Sequence, residues 1–392
     1  MSPQIPIVRI TLVGLVSLAI AMGIGRFAFT PLLPLMQDDG LASIADGGFL
    51  ASVHFVGYWL GAVFSARLGS APRFTLRLSL IAIAVCTLGM GLTDNFVLWL
   101  IFRFLCGVFS AVALVLVSNF YIKHLDDIGH AEKQGWVFSG VGAGIAVAGL
   151  GALAIMMSHA GSVLSWQIFG AVTLIAVVAV CTQMGSEIPH RHSSAESRKS
   201  QRTPLIWSAV IAYGAAGLGY IIPATYLPIM AREIVQSPIV FGWSWPVFGA
   251  AAFLSTPLAA GLHRRYTNRQ IWAVSQIVMA VGLLLPVVYP HITTILIAAV
   301  CVGGTFMIIT MTGMKEMHRM APPHDVMRHI AVMTASFATG QIVGPVLASA
   351  LYELTDGFSV SLVITSAILV VTAGTLALGV SNRATIRRLD NT

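Results

Sequence analysis

Charged side chains are scarce in this sequence. Asp, Glu, Lys and Arg together make up 9% of its 392 residues, where a soluble domain carries roughly 25%. An ordinary water-facing surface cannot be built from such a chain. Acidic residues are rarest, 15 in all, and each falls in a loop or at the end of an apolar run. No carboxylate is therefore expected in mid-membrane, which weighs against the usual embedded-acid routes to proton coupling and to recognition of cationic drugs. The four cysteines, Cys86, Cys106, Cys181 and Cys301, lie inside apolar runs without CxxC spacing, so neither a disulfide framework nor a metal site is expected. Walker, HExxH and nucleophile-elbow motifs are missing, so neither ATP hydrolysis nor peptidase chemistry is suggested. The longest polar stretch, Gly185–Pro204, is too short for a soluble output domain.

What the chain has is apolar length. It is 57% hydrophobic with a mean hydropathy of +0.85, and a bilayer crossing needs roughly 20 such residues. Twelve windows qualify: 10–34, 47–67, 75–93, 97–120, 135–157, 165–184, 205–228, 240–261, 270–289, 292–314, 328–352 and 359–381. The first is longer than a signal-peptide core and reads as an uncleaved span. If both termini face the cytosol, 19 of the 22 Lys and Arg residues fall on that side, only Arg232 falls in an outside loop, and Arg26 and Arg103 lie within spans. That asymmetry sets the orientation. It also scatters the basic residues over short loops, so the net charge of +7 marks no nucleic-acid surface.

The two halves of the chain repeat. Gly23-Ile24-Gly25-Arg26 and Leu33-Pro34-Leu35-Met36 correspond to Gly217-Leu218-Gly219-Tyr220 and Leu227-Pro228-Ile229-Met230, each pair 194 residues apart. Six spans on either side of Gly185–Pro204, opened by like helices, imply a pseudo-two-fold axis along the membrane normal, a plan that transporters use. The expected organisation is a first bundle at 1–184, a cytosolic linker at 185–204 and a second bundle at 205–392.

Several motifs resemble the major facilitator superfamily. Arg103-Phe104-Leu105-Cys106-Gly107 with Ala111 looks like its RFLxG motif, and Gly340-Gln341-Ile342-Val343-Gly344-Pro345 like its GxxxGP packing motif. Gly23 to Pro34 and Gly57-Tyr58-Trp59-Leu60-Gly61 resemble the YbfB/YjiJ-type transporters within it. The likeness covers the whole chain. It implies an all-α membrane protein with twelve transmembrane helices in two pseudo-symmetric six-helix bundles. It departs at the loop after the second span, where Ser65 stands in place of the usual Asp, and after the eighth, where Arg265 does. The charge pairs that gate other members are therefore in doubt.

The resemblance implies a secondary transporter working by alternating access, not an enzyme, without a cofactor. It would be a monomer in a bacterial inner membrane, handling a small molecule with a proton or other ion as a candidate co-substrate. A small organic anion is the leading substrate expectation. Efflux of amphipathic compounds is the alternative, suited by Phe27, Phe29, Trp59, Trp243 and Trp245; a transport-like sensor is the rival class.

Intramembrane arginine costs at least ~2.5 kcal/mol and normally faces a cavity or the bundle interior. Arg26 and Arg103 stand roughly 10–12 Å below the outer surface, counted at the helical rise, level with Tyr220 and His54 and one turn above Tyr58. These five are the candidate substrate-binding residues. In the family, spans 1, 4, 7 and 10 line the cavity, which holds three of the five. The alternative reading of Arg103 is a role in conformational change, and that of Arg26 is capping of carbonyls freed by Pro31 and Pro34. His54 is either a hydrogen-bonded interior residue or a proton carrier, since histidine titrates near neutrality. Pro31, Pro34, Pro223 and Pro228 are expected to kink or end their spans. The glycines of span 5 (Gly135, Gly140, Gly142, Gly144, Gly149, Gly151) read as close helix packing. Gly23-x-Gly25-x-x-Ala28 spells a dinucleotide fingerprint but has no strand before it.

Overall fold

The computed structural model describes residues 6–65, 72–130, 133–184, 203–263, 265–322 and 325–389. All its regular elements are helices. Twelve are long, numbered in chain order: α1 Ile7–Asp38, α2 Ile44–Ser65, α3 Pro72–Gly89, α4 Phe96–Ile122, α5 Gln134–Met157, α6 Ser162–Gln183, α7 Trp207–Ile234, α8 Ser244–Leu262, α9 Asn268–Val288, α10 Ile292–Met320, α11 Val326–Thr355 and α12 Ser359–Leu378. Eleven of the twelve regions are long and apolar enough to cross a membrane. The remaining helix, α3, starts with Arg73 and Arg77 and packs between α4 and α6. Twelve long helices joined end to end bring Ile7 and Leu378 to one face, called here the terminal face; the opposite one is the far face.

Helix pairing repeats between the halves. In the first half α1 packs on α5, α2 on α4, and α3 on α4 and α6; in the second half α7 packs on α11, α8 on α10, and α9 on α10 and α12. The three largest pairings that join the halves are α2 with α11, α5 with α8, and α1 with α7. Under a half-for-half exchange the first two swap and the third maps onto itself, as a two-fold axis requires. Contacts at that axis therefore join a residue to its own repeat partner. Arg26 meets Tyr220, Thr30 meets Ala224 and Asp38 meets Arg232, each pair 194 residues apart.

Small residues make the close packing possible. A Cβ on Gly107 would collide with the His54 carbonyl of α2, one on Gly142 with the backbone of α8 at Phe253, and one on Gly144 with α1 at Ala19. Span 5 glycines thus serve α1 on one side and α8 on the other. Gly340 likewise lets α11 lie against the α7 backbone at Gly214.

Two expectations need correction. Of the four prolines expected to kink or end their spans, Pro223 and Pro228 leave α7 unbroken and Pro34 lies inside a helical stretch, whereas Pro31 stands in the first turn after the break at Ala28. The carbonyl that Pro228 deprives of an amide partner, Ala224 O, accepts from Thr30 Oγ1 instead, which satisfies it inside the protein. Helix α7 also runs past its expected end, so Arg232 stands in its last turn and not in a loop.

Most of the expected linker, residues 185–202, lies outside the described residues. Its end is anchored: the Thr203 amide and hydroxyl donate to Asp325 Oδ2 at 2.9 and 2.7 Å, and Arg328 reaches the same oxygen at 3.2 Å. Donors on its charged form hold the Asp325 carboxyl down at about 2, the Thr203 hydroxyl contributing most.

Candidate functional site

The site grows from a flaw in α1. Residues Ala19–Ile24 form a π-helical turn and the helix breaks again at Ala28. Such turns leave carbonyls short of amide partners. Helix α4 supplies them: Ser110 Oγ donates to Ala21 O at 2.7 Å and Cys106 Sγ to Gly25 O at 3.0 Å. Arg103 donates to Gly25 O, Arg26 O and Leu50 O at 3.4–3.5 Å, with its guanidinium 4.6 Å from the Phe29 ring. Carbonyl capping in this region is thus the work of Arg103.

Arg26 is left free for something else. Its side chain crosses the axis and Nη2 donates to the Tyr220 hydroxyl. Its guanidinium lies 4.8, 4.7, 5.0 and 5.8 Å from the ring centres of Phe27, Phe55, Tyr58 and Tyr220. Four aromatic faces offset part of the desolvation cost of a buried cation, but none of them neutralises it. Arg26 is only 5% exposed and its Nε has no partner. Among the described residues no carboxylate pairs with Arg26 or Arg103. The buried acids lie far along the chain at the terminal face, where Glu316 is held by Arg269 and Arg319.

The structure brings Arg26, Tyr220 and Tyr58 into one cluster. His54 is fully buried, within electrostatic range of Arg26 and Arg103, and both its ring nitrogens lack partners. Arg103 adjoins the cluster but spends its donors on backbone. Gln341 joins unexpectedly: its Nε2 donates to the Tyr220 hydroxyl, while its Oε1, fully buried, has no partner. The sequence had placed Gln341 inside a packing motif. Its signal was its polarity, an amide one residue after Gly340 in an otherwise apolar run.

Tyr220 also anchors a ring platform in the second half. It stacks on Phe306 (5.1 Å, 11°) and Phe337 (5.5 Å, 13°), and Phe306 continues to Phe248 (5.7 Å), which stacks on Trp245 (4.8 Å). Of the five aromatics expected to serve amphipathic cargo, Phe27, Phe29 and Trp245 are buried here. Trp59 and Trp243 are 38% and 46% exposed on the outside of the bundle.

Above the cluster, at the far face, Arg232 bridges the halves. It donates to Pro34 O at 3.0 Å, Asp38 Oδ1 at 2.6 Å and Gln37 Oε1 at 2.6 Å. Beside it opens a cavity of about 310 Å³ lined by Asp38, Asp39, His159, Arg232 and Gln236 among apolar residues. At this end α1 and α7 are tied together.

A twelve-helix bundle of two like halves, with a polar cluster buried on the axis between them, is the architecture of a membrane carrier. The chain belongs to the family described as uncharacterised MFS-type transporter YbfB, which matches residues 18–377. Among solved structures it resembles the nucleoside transporter NupG (TM-score 0.70, 13% identity, 94% of this chain and 99% of that one). It also resembles a bacterial homolog to the human lysosomal transporter Spinster, in an inward-facing and occupied conformation (0.70, 16%, 95% and 95%), and a D-xylose-proton symporter (0.74, 12%, 94% and 96%). At such identities the likeness is one of fold. No curated protein sequence matches the chain.

Proposed function

We propose that this transporter carries a small organic anion by alternating access, and that Arg26 anchors the negative group. The observation that carries the reading is a permanently charged guanidinium, buried on the axis, which bonds to neutral Tyr220 and faces the rings of Phe27, Phe55 and Tyr58, with no carboxylate paired to it among the described residues. Tyr220 accepts from both Arg26 and Gln341, so its own proton is free to donate. Arg26 Nε and the Tyr220 hydroxyl thus offer two donors to one anion, and charge-assisted bonds of this kind are the strong ones. Tyr58 and His54 stand beside the same cluster. Arg103 keeps α1 in its broken form and positions Arg26.

The halves are residues 1–184 and 205–392, joined by a cytosolic linker, in a bacterial inner membrane with both termini inside. The terminal face is then cytosolic, and the tied far face is the closed outer gate. A reporter fused after Arg202 tests the orientation: activity only outside the cell would reverse it.

Efflux of amphipathic compounds draws on the same ring platform. Untargeted profiling of metabolites taken up and released by cells with and without the protein separates the two. Anions whose flux disappears with Arg26→Gln support the anion reading; neutral or cationic amphipaths whose flux does not depend on Arg26 favour efflux.

A further inference from the structure

Phe27, next in chain to Arg26, reaches across the axis onto the second half's platform. Its ring lies 5.9 Å from Trp245 and 6.4 Å from Phe306, edge-on to the latter at 73°. One half of the protein thus inserts a phenyl group into an aromatic receptacle formed by the other. The inserted ring is adjacent in chain to the residue that carries the open donor. Tyr220 belongs to both features, bonded to Arg26 and stacked on Phe306 and Phe337. When the halves part, Phe27 and Arg26 withdraw together with α1, opening a gap across which Arg26 faces Tyr220 and the freed aromatic platform.

From this we infer that the substrate is an aromatic monocarboxylate whose ring takes the place of Phe27 on the Trp245–Phe248–Phe306–Tyr220 platform while its carboxylate meets Arg26 Nε and the Tyr220 hydroxyl. The inference rests on the anion reading above. A single negative charge follows from the cluster: Arg103 directs its donors to three carbonyls, so one guanidinium has a donor to give. The free Gln341 Oε1 and the two His54 ring nitrogens add buried positions that a ring hydroxyl or ring N–H would satisfy.

The test is calorimetric titration of the purified protein in lipid nanodiscs. The ligands are benzoate and 2-naphthoate, their saturated counterparts cyclohexanecarboxylate and decahydro-2-naphthoate, and neutral benzyl alcohol. Stacking beyond simple area burial adds enough to make each aryl acid about 2- to 13-fold tighter than its saturated counterpart. Arg26→Gln should abolish binding of all four acids. Phe306→Leu and Trp245→Leu, at the two rings that Phe27 meets, should erase the aryl advantage, so that each aryl acid binds no tighter than its saturated counterpart in the same variant; thermal unfolding in the nanodiscs reports folding. Saturated acids binding as tightly as aryl acids would overturn this inference and leave the anion reading standing. An aryl advantage that survives in both Leu variants would overturn the platform. Benzyl alcohol binding as well as benzoate, benzoate binding that survives Arg26→Gln, or no binding by any acid would overturn the anion reading and this inference with it.

Discussion

Replacing Arg232 with Ala should loosen the far-face gate without touching the central cluster. The residue makes three bonds across the axis, two of them partly buried and the one to Asp38 exposed. Asp38 is 62% exposed, so its ion pair contributes only about 0–1 kcal/mol after solvent screening. The bonds to Pro34 O and Gln37 add about 0.5–1 kcal/mol each. Their loss removes about 1–3 kcal/mol from the closed form alone, which shifts the closed-to-open ratio by about 5- to 150-fold. Asp38→Asn, which removes one exposed pair, should shift it by less than about fivefold. The assay is pulsed EPR between spin labels at the exposed far-face positions 94 and 291, with the native cysteines replaced. Arg232→Ala should populate a longer distance. A folded Arg232→Ala variant with an unchanged distance distribution would refute the idea that this rim holds the gate.

Three further outcomes follow from the packing and the charges. Gly107→Val places a branched side chain against the His54 carbonyl where no room exists, and should lower stability by at least about 1–3 kcal/mol, read as a drop in the unfolding temperature in detergent. If a proton gradient drives transport, His54→Ala and His54→Gln should uncouple it, since among the described residues no carboxylate pairs with Arg26 or Arg103; coupling kept intact in both variants would remove His54 from that role. Asp325 has a carboxyl held at about 2, below its ordinary ~3.9, so its stabilisation is present above about pH 4 and fades as pH falls towards 2. Wild type and Asp325→Asn should therefore differ in thermal stability at pH 7 and converge near pH 2.

The fold was legible because lipid imposes length and hydropathy on every span, and because gene-level repetition left Gly-x-Gly and Leu-Pro-x-Met at one spacing in both halves. The 194-residue register gave the repeat partners, and the structure adds that Arg26–Tyr220, Thr30–Ala224 and Asp38–Arg232 meet at the axis. Depth and the family resemblance named Arg26, Arg103, Tyr220, His54 and Tyr58 as candidates; which of them touch was not legible. Nor was the role of Arg103, because nothing in a sequence says where a π-helical turn will strand its carbonyls. Gln341 was hidden by the glycines around it, whose packing role is real. The prolines misled for a related reason: in α7 a carbonyl left without its amide is bonded from α1, a contact far away in sequence.

The central claim is that Arg26 holds an anion, and transport in reconstituted proteoliposomes tests it most directly. The substrate is the compound identified by metabolite profiling, and wild type is compared with Arg26→Gln and Arg26→Lys, each verified as folded. Losing a buried charge-assisted pair costs about 2–5 kcal/mol, so Arg26→Gln should lose at least about thirtyfold in transport efficiency. Arg26→Lys, which keeps the charge but not the fork, should retain part of the activity. Wild-type transport by folded Arg26→Gln, or a transported substrate that proves to be a cation, would contradict the account.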